Sequence, residues 1–295
     1  MSDSADPIFI IGAPRSGTLL TARILGGSDR HFLITEHRNK EVCPEDTSGI
    51  SDNRLWWSTF YDDYDAASGQ PPVGAFQADP ERIDALRARY LEMAAGRRLV
   101  VKNPRHTLHI DVLKAMFPTA RFVYCVRHPW TTIASIVGKS LGIGGRPSAF
   151  LLPTSRDADM PDDVLLRAAH TWAAAQKAYE DSGADWRVVR YEDLVEDPAG
   201  QLRPLFAALD IDDDDAFHAA CALPRKLSPR NYHDVRQTFR RSPHRDAIMD
   251  LIRPGAAAFD YDADPDRLPA DALSHYKRQL SLGNMGRRLR RVLSR

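Results

Sequence analysis

Short apolar runs alternate with stretches of helical apolar spacing along most of the chain. Residues 7–12 form an apolar run that is rich in β-branched residues and ends at a glycine, which predicts a buried parallel strand. Residues 13–18 are a polar turn, and residues 19–25 then carry apolar side chains at helical spacing. A strand, a tight loop and a helix in this order predict the first half of a βαβ unit.

The same alternation continues downstream. Further strands are predicted at residues 73–76, 99–102, 121–126 and 187–190, and further helices at residues 79–95, 107–116, 129–140, 162–182 and 197–209. This order predicts an α/β fold of three layers, in which a mostly parallel central sheet is flanked by helices on both faces. We expect the 295 residues to form a single domain that ends in a basic helix or tail at about residues 276–295.

The charge balance argues against a nucleic-acid partner. Lys plus Arg and Asp plus Glu number 40 each, so the formal net charge is zero, whereas proteins that coat nucleic acid carry a basic excess. The three cysteines, Cys43, Cys125 and Cys221, are far apart and lack zinc-site spacing. This pattern is typical of reduced thiols in a cytoplasmic protein.

The two ends of the chain bear on localisation. The first 17 residues contain neither a basic segment nor a long apolar run, so no secretory leader is predicted. No stretch approaches the roughly 18 apolar residues of a membrane-spanning helix. The basic residues 276–295 are either a solvated helix end or a surface that contacts anionic lipid. We therefore expect a cytoplasmic protein, which the second interpretation would bring to the inner membrane surface as a peripheral protein.

The turn at residues 12–18 has the position and composition of an anion-binding loop. N–H groups at the start of a helix have no partner inside the helix, and the helix dipole adds positive potential there. Gly17 permits close backbone approach, and Arg15 supplies a planar charged fork for phosphate oxygens. Ser16 and Thr18 add hydroxyl donors. A plain strand-to-helix turn is the alternative.

This loop departs from the P-loop of nucleoside triphosphatases. In that pattern a lysine follows the last glycine, whereas Thr18 follows Gly17 here. No clear magnesium-binding acidic strand follows either, so kinase chemistry lacks two of its parts. A nucleotide or small-molecule kinase nevertheless remains one alternative, and a non-catalytic relative that binds a phosphorylated nucleotide is another.

The run FIIGAPRSGT at residues 9–18 resembles the 5′-phosphosulfate-binding loop of sulfotransferases that use 3′-phosphoadenosine 5′-phosphosulfate (PAPS). The resemblance implies a P-loop NTPase-like fold and a transferase of the branch that contains bacterial carbohydrate, lipid and natural-product enzymes. It also implies PAPS as donor, its desulfated form PAP as product, no metal, and a small-molecule, glycan or lipid hydroxyl as acceptor. The residues implied to bind the cofactor are Pro14, Arg15, Ser16, Gly17, Thr18 and Leu19, the last of which stands where the family usually carries threonine.

Later segments resemble further parts of the family's cofactor site. Arg127 ends a predicted strand and Ser135 lies eight residues later, as in the family's 3′-phosphate site. Tyr191, in the run RYEDL, matches the tyrosine that contacts adenine. The basic segment that contains Lys226 and Arg230 corresponds to a late segment that covers the 3′-phosphate, although it matches no motif closely.

Sulfuryl transfer requires a base for the acceptor proton and a cation at the leaving oxygen. Lys102 matches the leaving-group lysine of the family. Two bases remain open. His106 resembles the histidine of the cytosolic enzymes, although it stands four residues after Lys102 instead of two. Glu36, followed by Arg38, resembles the glutamate segment of tyrosylprotein sulfotransferases, and His37 is a weaker candidate.

The acceptor cannot be identified from any motif. We expect its contacts in residues 52–77 and 142–161, which are variable segments that contain no recognisable motif. The first of these segments carries five aromatic residues that either pack in the core or stack on an acceptor ring: Trp56, Trp57, Phe60, Tyr61 and Tyr64.

Overall fold

A computed structural model of the chain describes residues 6–37, 51–67, 72, 74–142, 151–152, 159–223 and 232–266. The chain divides into two compact units, residues 1–126 with 175–224 and residues 127–174 with 225–295. The single sulfotransferase domain therefore stays a prediction, and the basic tail at residues 276–295 lies outside the described residues. None of the described helices is both long and apolar enough to cross a membrane.

The first unit is built on a sheet of five parallel strands in the order β2-β3-β1-β4-β5. The strands are β1 (Ile8–Ile11), β2 (His31–Thr35), β3 (Arg98–Lys102), β4 (Arg121–Val126) and β5 (Trp186–Arg190). The register places Ile10 of β1 beside Lys102 of β3, and Ile11 beside Tyr124 of β4. The strands β2 and β3 lie on one side of β1, and β4 and β5 lie on the other. Open α/β sheets bind ligands at the carboxyl ends of the strands, at the point where the strand order reverses in this way.

Helices of the first unit cover both faces of this sheet, and further helices belong to the second unit. In chain order the helices are α1 (Thr18–Leu25), α2 (Asp52–Phe60), α3 (Pro80–Ala94), α4 (Ile110–Met116), α5 (Pro129–Gly142), α6 (Val164–Asp181), α7 (Tyr191–Glu196), α8 (Pro198–Ala208), α9 (Asp214–Ala222), α10 (Tyr232–Arg241) and α11 (Arg245–Ala258), with a 3-10 helix at Pro104–Leu108. Because side chains alternate along a strand, Ile8 and Ile10 pack with α1, α8 and α9. Phe9 and Ile11 pack on the opposite face with α2, α3 and α4. The predicted three-layer α/β fold with a parallel sheet is confirmed.

One predicted strand is wrong. Of residues 73–76, the described part, residues 74–76, forms no strand. The remaining strand of the sheet is instead His31–Thr35, in which every residue is buried. Phe76 packs with its ring centroid 5.2 Å from that of Phe60, so its apolar side chain contributes to the cluster around α2 and not to a sheet.

The second unit contains α5, α10, α11 and the first part of α6. Trp130 of α5 packs edge-on against Phe239 of α10 with ring centroids 4.6 Å apart, and its indole N–H donates to the Ala263 carbonyl oxygen at 2.7 Å. The indole N–H of Trp172 donates to the Arg127 carbonyl oxygen at 3.0 Å. Both indoles are fully buried, so these bonds satisfy the polar atom of each.

Candidate functional site

The loop that follows β1 depends on two glycines. Gly12 has a φ of +139° and Gly17 a φ of +101°, both in the range that favours glycine. A Cβ at Gly12 would lie 2.2 Å from the Cys125 carbonyl oxygen, and a Cβ at Gly17 would lie 2.6 Å from Cδ2 of Tyr191. Arg15, between them, adopts a left-handed φ of +74°. The loop therefore packs against the ends of both β4 and β5.

Hydrogen bonds fix the loop to its neighbours. The buried Ser16 hydroxyl lies 2.6 Å from the Ala13 carbonyl oxygen and 2.9 Å from the Cys125 carbonyl oxygen. The Gly12 N–H donates to Thr107 Oγ1 at 3.2 Å, which ties the loop to the 3-10 helix after β3. Ser16, predicted to bind phosphate, thus turns its hydroxyl toward backbone carbonyls in this structure.

The first turn of α1 offers N–H groups to a ligand. Its N-cap residue is Gly17, and no side chain of the described residues caps the helix. Uncapped N–H groups together with the helix dipole favour an anion at this position. All six predicted loop residues lie in this loop or in the first turn: Pro14, Arg15, Ser16, Gly17, Thr18 and Leu19. Tyr191, predicted to contact adenine, lies with its buried ring against Gly17.

A lysine and a glutamate pair at the carboxyl edge of the sheet. The β2–β3 register sets Thr35 beside Lys102, and the next N–H, that of Glu36, donates to the Lys102 carbonyl oxygen at 3.1 Å. The Lys102 ammonium forms a salt bridge with the Glu36 carboxylate. The lysine side chain is 4% exposed and that of the glutamate 21%. Two predicted catalytic residues that are 66 positions apart in sequence are therefore in direct contact.

His37 stands next to this pair. Partial burial lowers the pKa of His37, the negative charge of Glu36 acts in the opposite direction, and the positive charges of Arg105 and Lys102 lower it further. A ring with a lowered pKa is neutral near pH 7. His37 therefore adds no positive charge beside the salt bridge at that pH.

His106, the other predicted base, lies in the interior. Its Nε2 is 3.0 Å from Oδ2 of Asp52, and both side chains are at most 1% exposed. The imidazole packs against the ring of Trp56, with the centroids 4.4 Å apart. The structure thus brings Lys102 and Glu36 together and gives His106 a buried acidic partner instead.

Asp52 is the centre of a buried polar cluster. The Tyr90 hydroxyl donates to its carboxylate, and the Asn103 amide donates to it at 2.6 Å and to Asn53 Oδ1 at 2.9 Å. Burial alone would raise the pKa of Asp52, but the charge and hydrogen bond of His106 and the bonds from Tyr90 and Asn103 outweigh it and lower the pKa. Burial and the negative charge of Asp52 raise the pKa of Tyr90 well above its usual value.

The aromatic residues of α2 and of the segment directly after it divide into two groups. Trp56 and Phe60 are buried and belong to the core. Trp57, Tyr61 and Tyr64 are only half-buried, and the rings of Trp57 and Tyr64 lie 5.6 Å apart. The guanidinium of Arg105 lies over Trp57 at 5.2 Å from the ring centroid, a cation–π geometry. We call Trp57, Tyr61, Tyr64 and Arg105 the aromatic surface.

The predicted 3′-phosphate residues belong to the second unit. Arg127 directly follows β4 along the chain, and its side chain is buried. Ser135 lies on α5 and is half-buried. Lys226 and Arg230 lie outside the described residues.

Two arginines that follow Lys226 and Arg230 in sequence form salt bridges within the second unit. Arg236 and Arg240 of α10 both form salt bridges with Asp266, the latter at 2.7 Å. Hydrogen bonds from Arg240 and Arg236, opposed by slight burial, lower the pKa of Asp266. These two side chains thus neutralise a carboxylate of their own unit.

Sequence patterns did not indicate Asp52, Asn103 or Tyr90 as part of this region. Asn103 had a detectable signal, because it follows the last residue of a predicted strand. Asp52 and Tyr90 had none, since their contact joins two helices 38 positions apart.

Comparison with known proteins agrees with this fold. Residues 7–215 match the model of the Sulfotransferase family. The solved sulfotransferase domain of the Synechococcus PCC 7002 olefin synthase superposes with a TM-score of 0.52 at 20% identity, covering 90% of this chain and 98% of that one. The sulfotransferase domain from the curacin biosynthetic pathway gives a TM-score of 0.51 at 19% identity over 88% and 99% of the two chains.

Curated relatives are more similar in sequence. The omega-hydroxy-beta-dihydromenaquinone-9 sulfotransferase Stf3 of Mycobacterium tuberculosis is 26% identical over 262 residues, which are 74% of this chain. The nodulation protein NoeE of Sinorhizobium fredii is 25% identical over 248 residues, or 72% of this chain. The chain spans 65% of the length of the first relative and 52% of the second. The match over residues 7–215, on a parallel sheet whose first strand leads into the loop at residues 12–17, shows that the chain belongs to the Sulfotransferase family.

Proposed function

We propose that this chain transfers a sulfuryl group from PAPS to a hydroxyl group of a small-molecule, glycan or lipid acceptor and releases PAP. The observation that carries the proposal is the salt bridge between Lys102 and Glu36. It lies at the end of β3, the neighbour of β1, and β1 leads into the loop at residues 12–18. The name of the mycobacterial relative supports a lipid or natural-product hydroxyl as acceptor.

Glu36 and Lys102 have different roles in the proposed reaction. The acceptor oxygen attacks sulfur as the bond between sulfur and the 5′-phosphate oxygen breaks, and Glu36 takes the acceptor proton. Lys102 donates a hydrogen bond to the leaving oxygen, where negative charge develops. Its ammonium has three N–H donors, so it can hold Glu36 and the leaving oxygen at once.

The chain binds PAPS at the two anionic groups of the cofactor, the 5′-phosphosulfate and the 3′-phosphate. Arg15 and the N–H groups at the start of α1 bind the 5′-phosphosulfate, and Tyr191 contacts the adenine. Arg127 and Ser135 bind the 3′-phosphate, which separates PAPS from ATP. Contacts of Lys226 and Arg230 with the same phosphate remain part of the proposal.

Calorimetry with PAP tests the cofactor. We expect micromolar binding without magnesium, little competition by ATP, and at least tenfold weaker binding by Arg127→Ala, since a buried arginine that pairs with a phosphate is lost. Arg89→Ala, which removes an exposed arginine of α3, is the matched control and should bind PAP normally. Magnesium-dependent ATP binding without PAP binding would make the chain a kinase-like phosphotransferase instead.

The aromatic surface is the proposed acceptor site. The Asn53 N–H donates to the Glu36 carbonyl oxygen at 3.4 Å, so α2 begins at the base. Trp57 follows one helical turn later, about 6 Å along the axis. Arg105 stands three positions after Lys102 and lies over the same indole. A ring-bearing acceptor that stacks on Trp57 would thus be close to both reacting side chains.

Substitution of Trp57 tests this assignment. With the best acceptor from a panel of phenols, pyranosides and long-chain alcohols, Trp57→Ala should lower kcat/KM about tenfold, equivalent to about 1.4 kcal/mol of lost contact. Trp57→Phe should restore most of it, and PAP affinity should not change. Leu91→Ala, which removes an exposed apolar side chain of α3, is the control. Equal kcat/KM in wild type and Trp57→Ala would place the acceptor elsewhere.

A further inference from the structure

We propose that Asp52 and His106 are positioning residues that hold Glu36 and Lys102 in their reactive geometry. This inference rests on the proposed function, because it assigns Glu36 as the base and removes His106 from that role. The positioning is done by the buried Asp52 cluster, which consists of Asp52, Asn53, Tyr90, Asn103 and His106.

A continuous set of contacts leads from the cluster to the salt bridge. His106 lies on the Asp52 carboxylate, and the Asn103 amide bridges Asp52 and Asn53. The Asn53 N–H in turn donates to the Glu36 carbonyl oxygen, and Asn103 is the residue next to Lys102. The cluster therefore fixes the start of α2 to the end of β3, and with it the backbone of both reacting residues.

The polar side chains of the cluster are almost completely buried. The side chains of Asp52 and His106 are at most 1% exposed, and Asn53 and Asn103 are 2% and 1% exposed. A buried carboxylate is tolerated only when it is paired and hydrogen-bonded, so any shift of one member leaves another without its partner. Not every polar atom of the cluster is satisfied, because Asn53 Nδ2 and His106 Nδ1 have no hydrogen-bond partner among the described residues. The groups that meet at Asp52 should nevertheless oppose small displacements of the strand end.

The surroundings of His106 do not suit proton transfer from an acceptor. Its Nε2 contacts Asp52, and its ring packs beside Trp56 and Phe9, with centroids 4.4 Å and 6.4 Å away. Glu36, by contrast, keeps 21% of its side chain exposed and lies beside Lys102. The accessible carboxylate is thus the group that can reach a bound hydroxyl.

Paired substitutions of His106 separate the two roles. His106→Gln retains an N–H donor for Asp52 and should keep kcat within about fivefold of wild type, whereas His106→Ala should lower kcat about 10- to 100-fold, as loss of a supporting hydrogen bond does at other sites. Acceptor KM and PAP affinity should change less than threefold in both variants. The pH profile of kcat/KM should have the same shape in His106→Gln as in wild type, because the proposed base, Glu36, is unchanged. Each rate is divided by the concentration of PAP-binding protein measured by calorimetry, so that only folded protein is counted.

Buried His31 provides the matched control. Its Nδ1 contacts the Leu25 carbonyl oxygen at the opposite end of β2, about 13 Å from Thr35 along the strand. His31→Gln should leave kcat per PAP-binding molecule unchanged. If His106→Ala does not fold, Tyr90→Phe, which removes one donor from Asp52, should still lower kcat about threefold.

The outcomes are distinct. If His106→Gln is as inactive as His106→Ala and loses the acidic limb of the pH profile, His106 is a base and the inference is wrong. If His106→Ala, or Tyr90→Phe in its place, keeps full kcat, the cluster does not position the pair. Wild type that fails to bind PAP, or that binds PAP but turns over none of the panel acceptors, would instead overturn the proposed function, and this inference with it.

Discussion

Replacing Glu36 with glutamine is expected to lower kcat about 10²- to 10⁴-fold, the range that a positioned base contributes. The amide is nearly the same size and can accept a hydrogen bond from Lys102, but it cannot take a proton from the acceptor. PAP should bind no more weakly than to wild type, since the change removes a negative charge beside an anionic ligand. The measurement is PAP release from PAPS with the best panel acceptor, together with PAP calorimetry.

A control substitution of an exposed carboxylate shows whether the loss of kcat is specific to Glu36. Glu92 of α3 forms an exposed salt bridge with Arg89 at 2.9 Å, and Glu92→Gln should leave kcat unchanged because exposed pairs contribute little. The pH profile supplies a second criterion. Persistence of a normal acidic limb and near-normal kcat in Glu36→Gln would show that another group takes the proton.

Replacing Asp52 with alanine is expected to lower the free energy of unfolding by about 3–5 kcal/mol, because three buried polar groups would lose the carboxylate that they share. His106, Tyr90 and Asn103 would each lose a buried partner. Urea denaturation followed by circular dichroism measures the change, provided that unfolding is reversible. Asp197→Ala is the control, because Asp197 caps α8 from an exposed position, and its loss should cost about 1 kcal/mol.

The pH dependence of this difference has a definite sign. The folded protein lowers the pKa of Asp52, so the unfolded chain binds more protons at that position in mildly acidic solution. The stabilising contribution is therefore complete above the unfolded pKa of about 3.9 and decreases as the pH falls through the lower folded value. The stability gap between wild type and Asp52→Ala should accordingly narrow as the pH falls below about 4. A gap under 1 kcal/mol at pH 7 would contradict the assignment of Asp52 as the shared partner of His106, Tyr90 and Asn103.

Local sequence determined the parts of the site that follow strands. The apolar run before Gly12, the two glycines of the loop and the apolar residues of α1 indicated a strand, a turn and a helix, and the structure contains these elements in that order. Lys102 was placed correctly for the same reason, because a charged residue directly after the apolar residues of a buried strand marks the strand's carboxyl end.

Local sequence also misled once. The segment around Phe76 has apolar residues typical of a strand, yet its described part packs as a loop against the aromatic residues of α2. Residues 31–35 are equally apolar and became the strand, because they reach β3 and form a continuous parallel register with it. Short apolar runs satisfy either arrangement, and only the available hydrogen-bonding partner decides between them.

The sequence by itself determined the family, the position of the glycine-containing loop between β1 and α1, and a short set of candidate residues, because these depend on side-chain types within a few positions of one another. The choice between Glu36 and His106 depended on the tertiary structure. Our proposal of Glu36 as the base rests on its contact with Lys102 across 66 positions, and on the approach of α2 to β3, which pairs His106 with Asp52. Burial and pairing set the chemistry of an ionisable group, and both are properties of the packed molecule rather than of the local chain.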